Sequence, residues 1–119
     1  MSRQHLPSGL KVKDVTEGAG AVAERGKLVT IHYRGFLNRG DQFRSSRDDG
    51  APISFVVGKR EVIAGLEYGV EGMRVGGHRQ LIVSPHLAYR DTEVPGIPPN
   101  ALLRFEVELL DVQEVANVA

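Results

Sequence analysis

The sequence predicts an α+β fold: an antiparallel sheet of about five strands with one short helix against it. Three observations point there. Fourteen glycines cut the 119 residues into short segments. Two of these, 28–37 and 101–112, carry the branched, aromatic and alternating apolar residues of half-buried strands. A third, 61–73, spaces its apolar residues for one face of a helix. Such a sheet has one wet face and one covered face.

Residues 10–17 alternate weakly and end at the Gly18-Ala19-Gly20 turn. In 28–37, Leu28, Thr30, His32 and Arg34 share one face, and Val29, Ile31, Tyr33 and Gly35 the other. The second set is the better core face, so Tyr33 is expected to point inward. Residues 38–41 form a turn, and 42–46 return as a strand. Arg47-Asp48-Asp49-Gly50 interrupts that strand and 53–57 resumes it, as a bulge or inserted loop does in an edge strand. The helix is expected near 62–68, shortened by Gly65, Gly69 and Gly72. Residues 78–83 form a strand. In 101–112, Leu103, Phe105, Val107 and Leu109 alternate with Arg104, Glu106 and Glu108. The stretch 84–100, with Pro85, Pro95-Gly96 and Pro98-Pro99-Asn100, is a long loop of the kind that carries function. The tail, 113–119, is expected to fray.

The length fits one domain over 1–119, with its core at about 10–112. Fifteen basic residues balance fifteen acidic ones, which argues against a nucleic-acid partner. Without cysteine there is no disulfide, thiolate nucleophile or cysteine metal site. No apolar run reaches the ~20 residues of a membrane span, and the first residues do not read as a signal peptide. The expected address is the cytoplasm. His5, His32, His78 and His86 lack ligand spacing, so neither a metal nor another cofactor is expected. Ser45-Ser46 has no partnered His and acid in recognisable order. Lys59, Arg60, Arg74, Arg79 and Arg90 read as solvated surface.

The runs VTIHYRGFL, FRSSRD, FVVGKREVIAGLEYGVEGMRVGG, LIVSPHLAY and PGIPPNALLRFEVELLDV resemble successive motifs of the FK506-binding proteins. The likeness is collinear from about Leu10 to Val112. It implies a bent sheet wrapped around the helix, and catalysis of rotation about the bond preceding proline. By motif match it assigns Tyr33, Phe43, Tyr89 and Phe105 to the catalytic pocket. It assigns Arg44, Ile53, Val62, Ile63, Leu66 and Ile97 to substrate contacts. Ligand carbonyls would bond the Ile63 N–H and the Tyr89 hydroxyl. The implied partners are proline-containing polypeptides and FK506- or rapamycin-like macrolides, taken by a monomer. Four positions depart from the family pattern: Arg44 for Asp, Leu66 for Trp, Ile53 for Phe, and Arg90 for Gly after the pocket Tyr.

An X-Pro bond rotates over a barrier of about 20 kcal/mol because resonance holds the amide planar. The planar amide is the more dipolar state. A water-poor apolar pocket therefore favours the twisted one, with no proton transfer or covalent intermediate. Aromatic edges suit the carbonyl oxygen. Arg44, donor-only and positive, is expected to lower the rate and leave peptide binding intact. The rival readings are a weakly active or inactive module of this fold that binds proline-containing segments, and a small-molecule sensor.

Overall fold

A computed structural model describes residues 6–92 and 94–115. Residues 1–5, His5 among them, Glu93 and tail residues 116–119 lie outside them. The strands are β1 (Leu10–Thr16), β2 (Leu28–Leu37), β3 (Gln42–Ser45), β4 (Ile53–Val56), β5 (His78–Val83) and β6 (Leu103–Gln113). One helix, α1 (Ala64–Val70), precedes β5. All strand pairs are antiparallel, in the order β1-β5-β6-β2-β3, with β4 also on β2.

β3 and β4 share one edge of β2. β4 pairs its first half, from Leu28 to Ile31, and β3 its second, from Arg34 to Phe36. They are the interrupted edge strand that Arg47-Asp48-Asp49-Gly50 announces, so the expected five strands become six segments. Gln113, placed in the fraying tail by sequence, still pairs Leu28 in β6.

The alternation of β6 is real. Leu103, Phe105, Val107 and Leu109 are buried while Arg104 is exposed. They share the inner face with Val29 and Ile31 of β2 and Leu81 and Val83 of β5, all buried. Leu66 and Val70 of α1 close this core from above. On the outer face, Arg34 pairs with Glu106 and Arg47 with Glu108. Such exposed pairs contribute about 1 kcal/mol or less each.

The helix runs two residues later than expected, because its glycines do not break it. A Cβ on Gly65 would collide with the Val83 side chain, and one on Gly69 with Leu81. These bare positions let α1 lie directly on β5. The helix ends where Gly72 takes φ +90° and the Met73 N–H donates to Val70 O.

Arg79 is buried, not the surface residue that composition suggested. It shares strand parity with Leu81 and Val83 and so points inward. Its Nη1 donates to Gly69 O at 3.0 Å and Glu71 O at 2.9 Å, and its Nε to Asp14 Oδ1 at 2.6 Å. The guanidinium thus satisfies carbonyls that the helix end leaves orphaned, at the negative end of the helix dipole. Arg79→Met is expected to cost about 2–3 kcal/mol, the scale of losing charge-assisted bonds at a buried site. Urea unfolding measures it; a loss below about 0.5 kcal/mol, typical of a surface change, would contradict the assignment.

Candidate functional site

The site is built outward from Phe105. This side chain is buried on β6, between Gly35 of β2 and Leu81 of β5. The Phe43 ring meets it edge-on, with centroids 5.9 Å apart and planes at 85°. The Tyr33 ring lies 6.1 Å from it at 51°. Tyr33 therefore faces inward, as its place in β2 requires.

Phe43 reaches this cluster through a break in pairing. Arg44 sits opposite Gly35 and Gln42 opposite Phe36, which leaves Phe43 as the extra residue of a β-bulge. Strict alternation would send Phe43 and Arg44 to opposite faces. Here Phe43 meets the inner cluster edge-on, while Arg44 remains near enough to the Tyr33 and Tyr89 phenols to interact with them electrostatically. Its Nε donates to Asp49 Oδ2 at 3.1 Å.

Tyr33 has its phenol pKa raised by burial; the Arg44 charge opposes this, and Tyr89 and Asp49 reinforce it. Arg44 in turn is held above its ordinary value, chiefly by Tyr33 and then by Asp49. Tyr33 is thus a neutral donor beside a compensated cation.

Val62 and Ile63 enter from the segment before α1. Ile63 has extended backbone, φ −57° and ψ 147°, and its carbonyl accepts from the Leu66 and Glu67 N–H groups. Its own N–H has no protein partner among the described residues. Leu66 is buried in the first turn of α1. Ile53 opens β4 opposite Ile31. In the long loop a 3-10 turn over Pro85–Leu87 delivers Tyr89, and a bridge from Val94 to Ile97 seats Ile97 in the core. Val62, Ile63, Ile53 and Tyr89 are half-buried against the same core as Leu66, Ile97 and Phe105. Arg90 follows Tyr89 at φ +54°, a left-handed conformation that a glycine adopts without strain.

Sequence reasoning missed two contributors, Glu67 and Gly35. Glu67 is buried on α1, and its Oε1 accepts the N–H groups of Gly58 and Arg60 at 2.9 and 3.0 Å. It pins the turn that leads to Val62 and Ile63. A charged residue within an otherwise apolar helix segment was the available signal. Asp49, which with Asp48 was one of the outward partners the sequence offered Arg44, takes its charge. Gly35 lies under the Phe43 ring, and no local pattern reveals that.

An open recess of about 420 Å³ touches Phe43, Arg44, Asp48 and Asp49 at the rim of this cluster. Two larger grooves, about 440 and 470 Å³, involve outer-face residues. One holds His32, His78 and Glu108, the other Lys11, Ile82 and Arg104. The first includes the Arg34–Glu106 and Arg47–Glu108 pairs of the outer face, whereas the three rings converge on the inner face.

The family profile described as FKBP-type peptidyl-prolyl cis-trans isomerase matches residues 20–110. The chain is 47% identical over 107 residues to peptidyl-prolyl cis-trans isomerase FKBP1A of Xenopus laevis, covering 88% of this chain and 99% of that one. It is 46% identical over 105 residues to FK506-binding protein 4 of Neurospora crassa, covering 88% of this chain but only 22% of that much longer protein. Its fold superposes on the crystal structure of AtFKBP13 with a TM-score of 0.82 at 37% identity, covering 88% of this chain and 94% of the other. A profile match over most of the chain, joined to a relative matched along nearly its whole length, establishes that the chain belongs to the FKBP-type peptidyl-prolyl cis-trans isomerase family.

Proposed function

We propose that this chain accelerates rotation about X-Pro peptide bonds, with the prolyl amide held against Tyr33, Phe43 and Phe105. One observation carries the reading: two rings meet the buried Phe105 ring, Phe43 edge-on and Tyr33 tilted, and burial raises the phenol pKa of Tyr33 further. Ring edges carry partial positive charge and suit a carbonyl oxygen turned out of the amide plane. Leu66, Val62 and Ile97 supply apolar surface for the proline ring. The Ile63 N–H and the Tyr89 hydroxyl orient the peptide on either side. Any preference of these contacts for the twisted amide lowers the barrier directly.

Arg44 and Ile53 were the reasons to weigh a weakly active or inactive binding module. The pairing of Arg44 with Asp49 weakens that reading, because the positive charge is met by a carboxylate at the rim. The curated relatives named as isomerases also weigh against it. The reading extends to FK506-like macrolides as competitors for the pocket, and to a monomer that assists proline-limited folding in the cytoplasm. Light scattering and cell fractionation test those last two points.

An uncoupled isomerisation assay on an X-Pro peptide tests the activity, and FK506 is expected to abolish it in proportion to occupancy. Arg44→Asp is expected to change kcat/KM by about fivefold or less, the span of an exposed ion pair. A gain well beyond that would show Arg44 to be limiting. The rate is also expected to be flat from about pH 6 to 9. The sign follows from Tyr33: its neutral form is favoured in the fold, so its contribution holds below the ordinary phenol value and declines only as the pH rises past it. A bell-shaped profile inside that window would indicate acid-base chemistry instead.

A further inference from the structure

We infer that Gly35 is a positioning residue of the pocket: its missing side chain is the seat of the Phe43 ring. The inference deepens the isomerase reading and rests on it for its effect on rate.

The geometry is direct. An ideal Cβ on Gly35 would stand 2.5 Å from Phe43 Cζ and 2.9 Å from both Cε1 and Cε2. Those distances lie far inside carbon–carbon contact, which is about 3.5–4.0 Å. The conflict is with the whole end of an aromatic ring, not with the tip of a flexible chain. Gly35 does not take a left-handed φ, so no turn requires a glycine here. It is an interior residue of a ten-residue strand, where glycine weakens the sheet and often marks a close approach.

Three features of the sheet make the seat specific. Gly35 is the one residue of β2 that faces two on β3, because the bulge leaves Phe43 unpaired beside Arg44. On its other side Gly35 pairs with Phe105, the ring that Phe43 meets edge-on. The bulge thus aims Phe43 across β2 toward β6, and Gly35 leaves the space it crosses. Tyr33, two residues earlier on the same face, limits movement of Phe105 toward that side. A methyl at position 35 displaces the Phe43 ring from its contact with Phe105, and the open recess it adjoins beside Arg44 and Asp49 offers space for it.

A double-mutant cycle on the full chain tests this: the natural protein, Gly35→Ala, Phe43→Ala and the pair. Two readouts are taken, kcat/KM in the uncoupled assay and the ring-proton shifts of Phe43 and Phe105. Gly35→Ala is expected to shift those ring signals and lower kcat/KM by about 10- to 100-fold, the scale of an ångström-sized misplacement. On the Phe43→Ala background the same change should have no further effect on rate or on the Phe105 signals. An equal loss on both backgrounds, or unmoved ring signals in Gly35→Ala, would overturn the inference. If Gly35→Ala fails to fold, recovery of folding in the double variant supports the seat and continued failure refutes it. A natural chain without isomerase activity would remove the functional reading alone, and the ring signals would still decide the seat by the same criteria.

Discussion

The contact of Phe43 with the buried Phe105 ring is the constraint on which the site depends. Phe105 has no freedom of its own. It sits on the third of five laterally ordered strands, with β2 and β5 on either side and the helix layer above. A ring held this way is a fixed reference against which the Phe43 and Tyr33 rings are set. Fixed aromatic edges matter because the reaction offers so little to grip: no leaving group, no developing full charge, only an amide that loses its resonance as it turns. Selectivity for that state must come from shape and from dipoles already in place.

The opposite wall is held by different means. Gly65 and Gly69 bring α1 onto β5, and Arg79 closes the helix end from beneath. Glu67 reaches back to Gly58 and Arg60, so the segment carrying Val62 and Ile63 is tied to the helix it precedes. Buried charge is costly unless it is bonded, and both Glu67 and Arg79 are bonded to main-chain groups. The polar residues of the interior thus fix the backbone, while the rings and aliphatic chains supply the surface.

Much of the fold was legible because strands write their burial with period two. Leu103, Phe105, Val107 and Leu109 announce β6, and Arg47-Asp48-Asp49-Gly50 announces the split between β3 and β4. Arg79 could have been read the same way, since it alternates in phase with Leu81 and Val83. The charge of the residue obscured its position. The glycines were harder. Gly35, Gly65 and Gly69 look like breakers locally, yet each is set by a side chain far away in sequence: Phe43, Val83 and Leu81. The proposed pocket residues came from motif order alone. Tyr33, Phe43 and Phe105 have the spacing of ordinary core residues, and only their convergence in space distinguishes them.

The central claim is that a water-poor ring cluster lowers the barrier to amide rotation with no proton changing hands. Exchange spectroscopy on an X-Pro peptide, with the chain at catalytic concentration, measures this most directly in light and heavy water. Cis–trans exchange cross-peaks are expected to build up at the same enhanced rate in both solvents. Exchange no faster than in the free peptide, or enhancement that slows in heavy water, would contradict the claim.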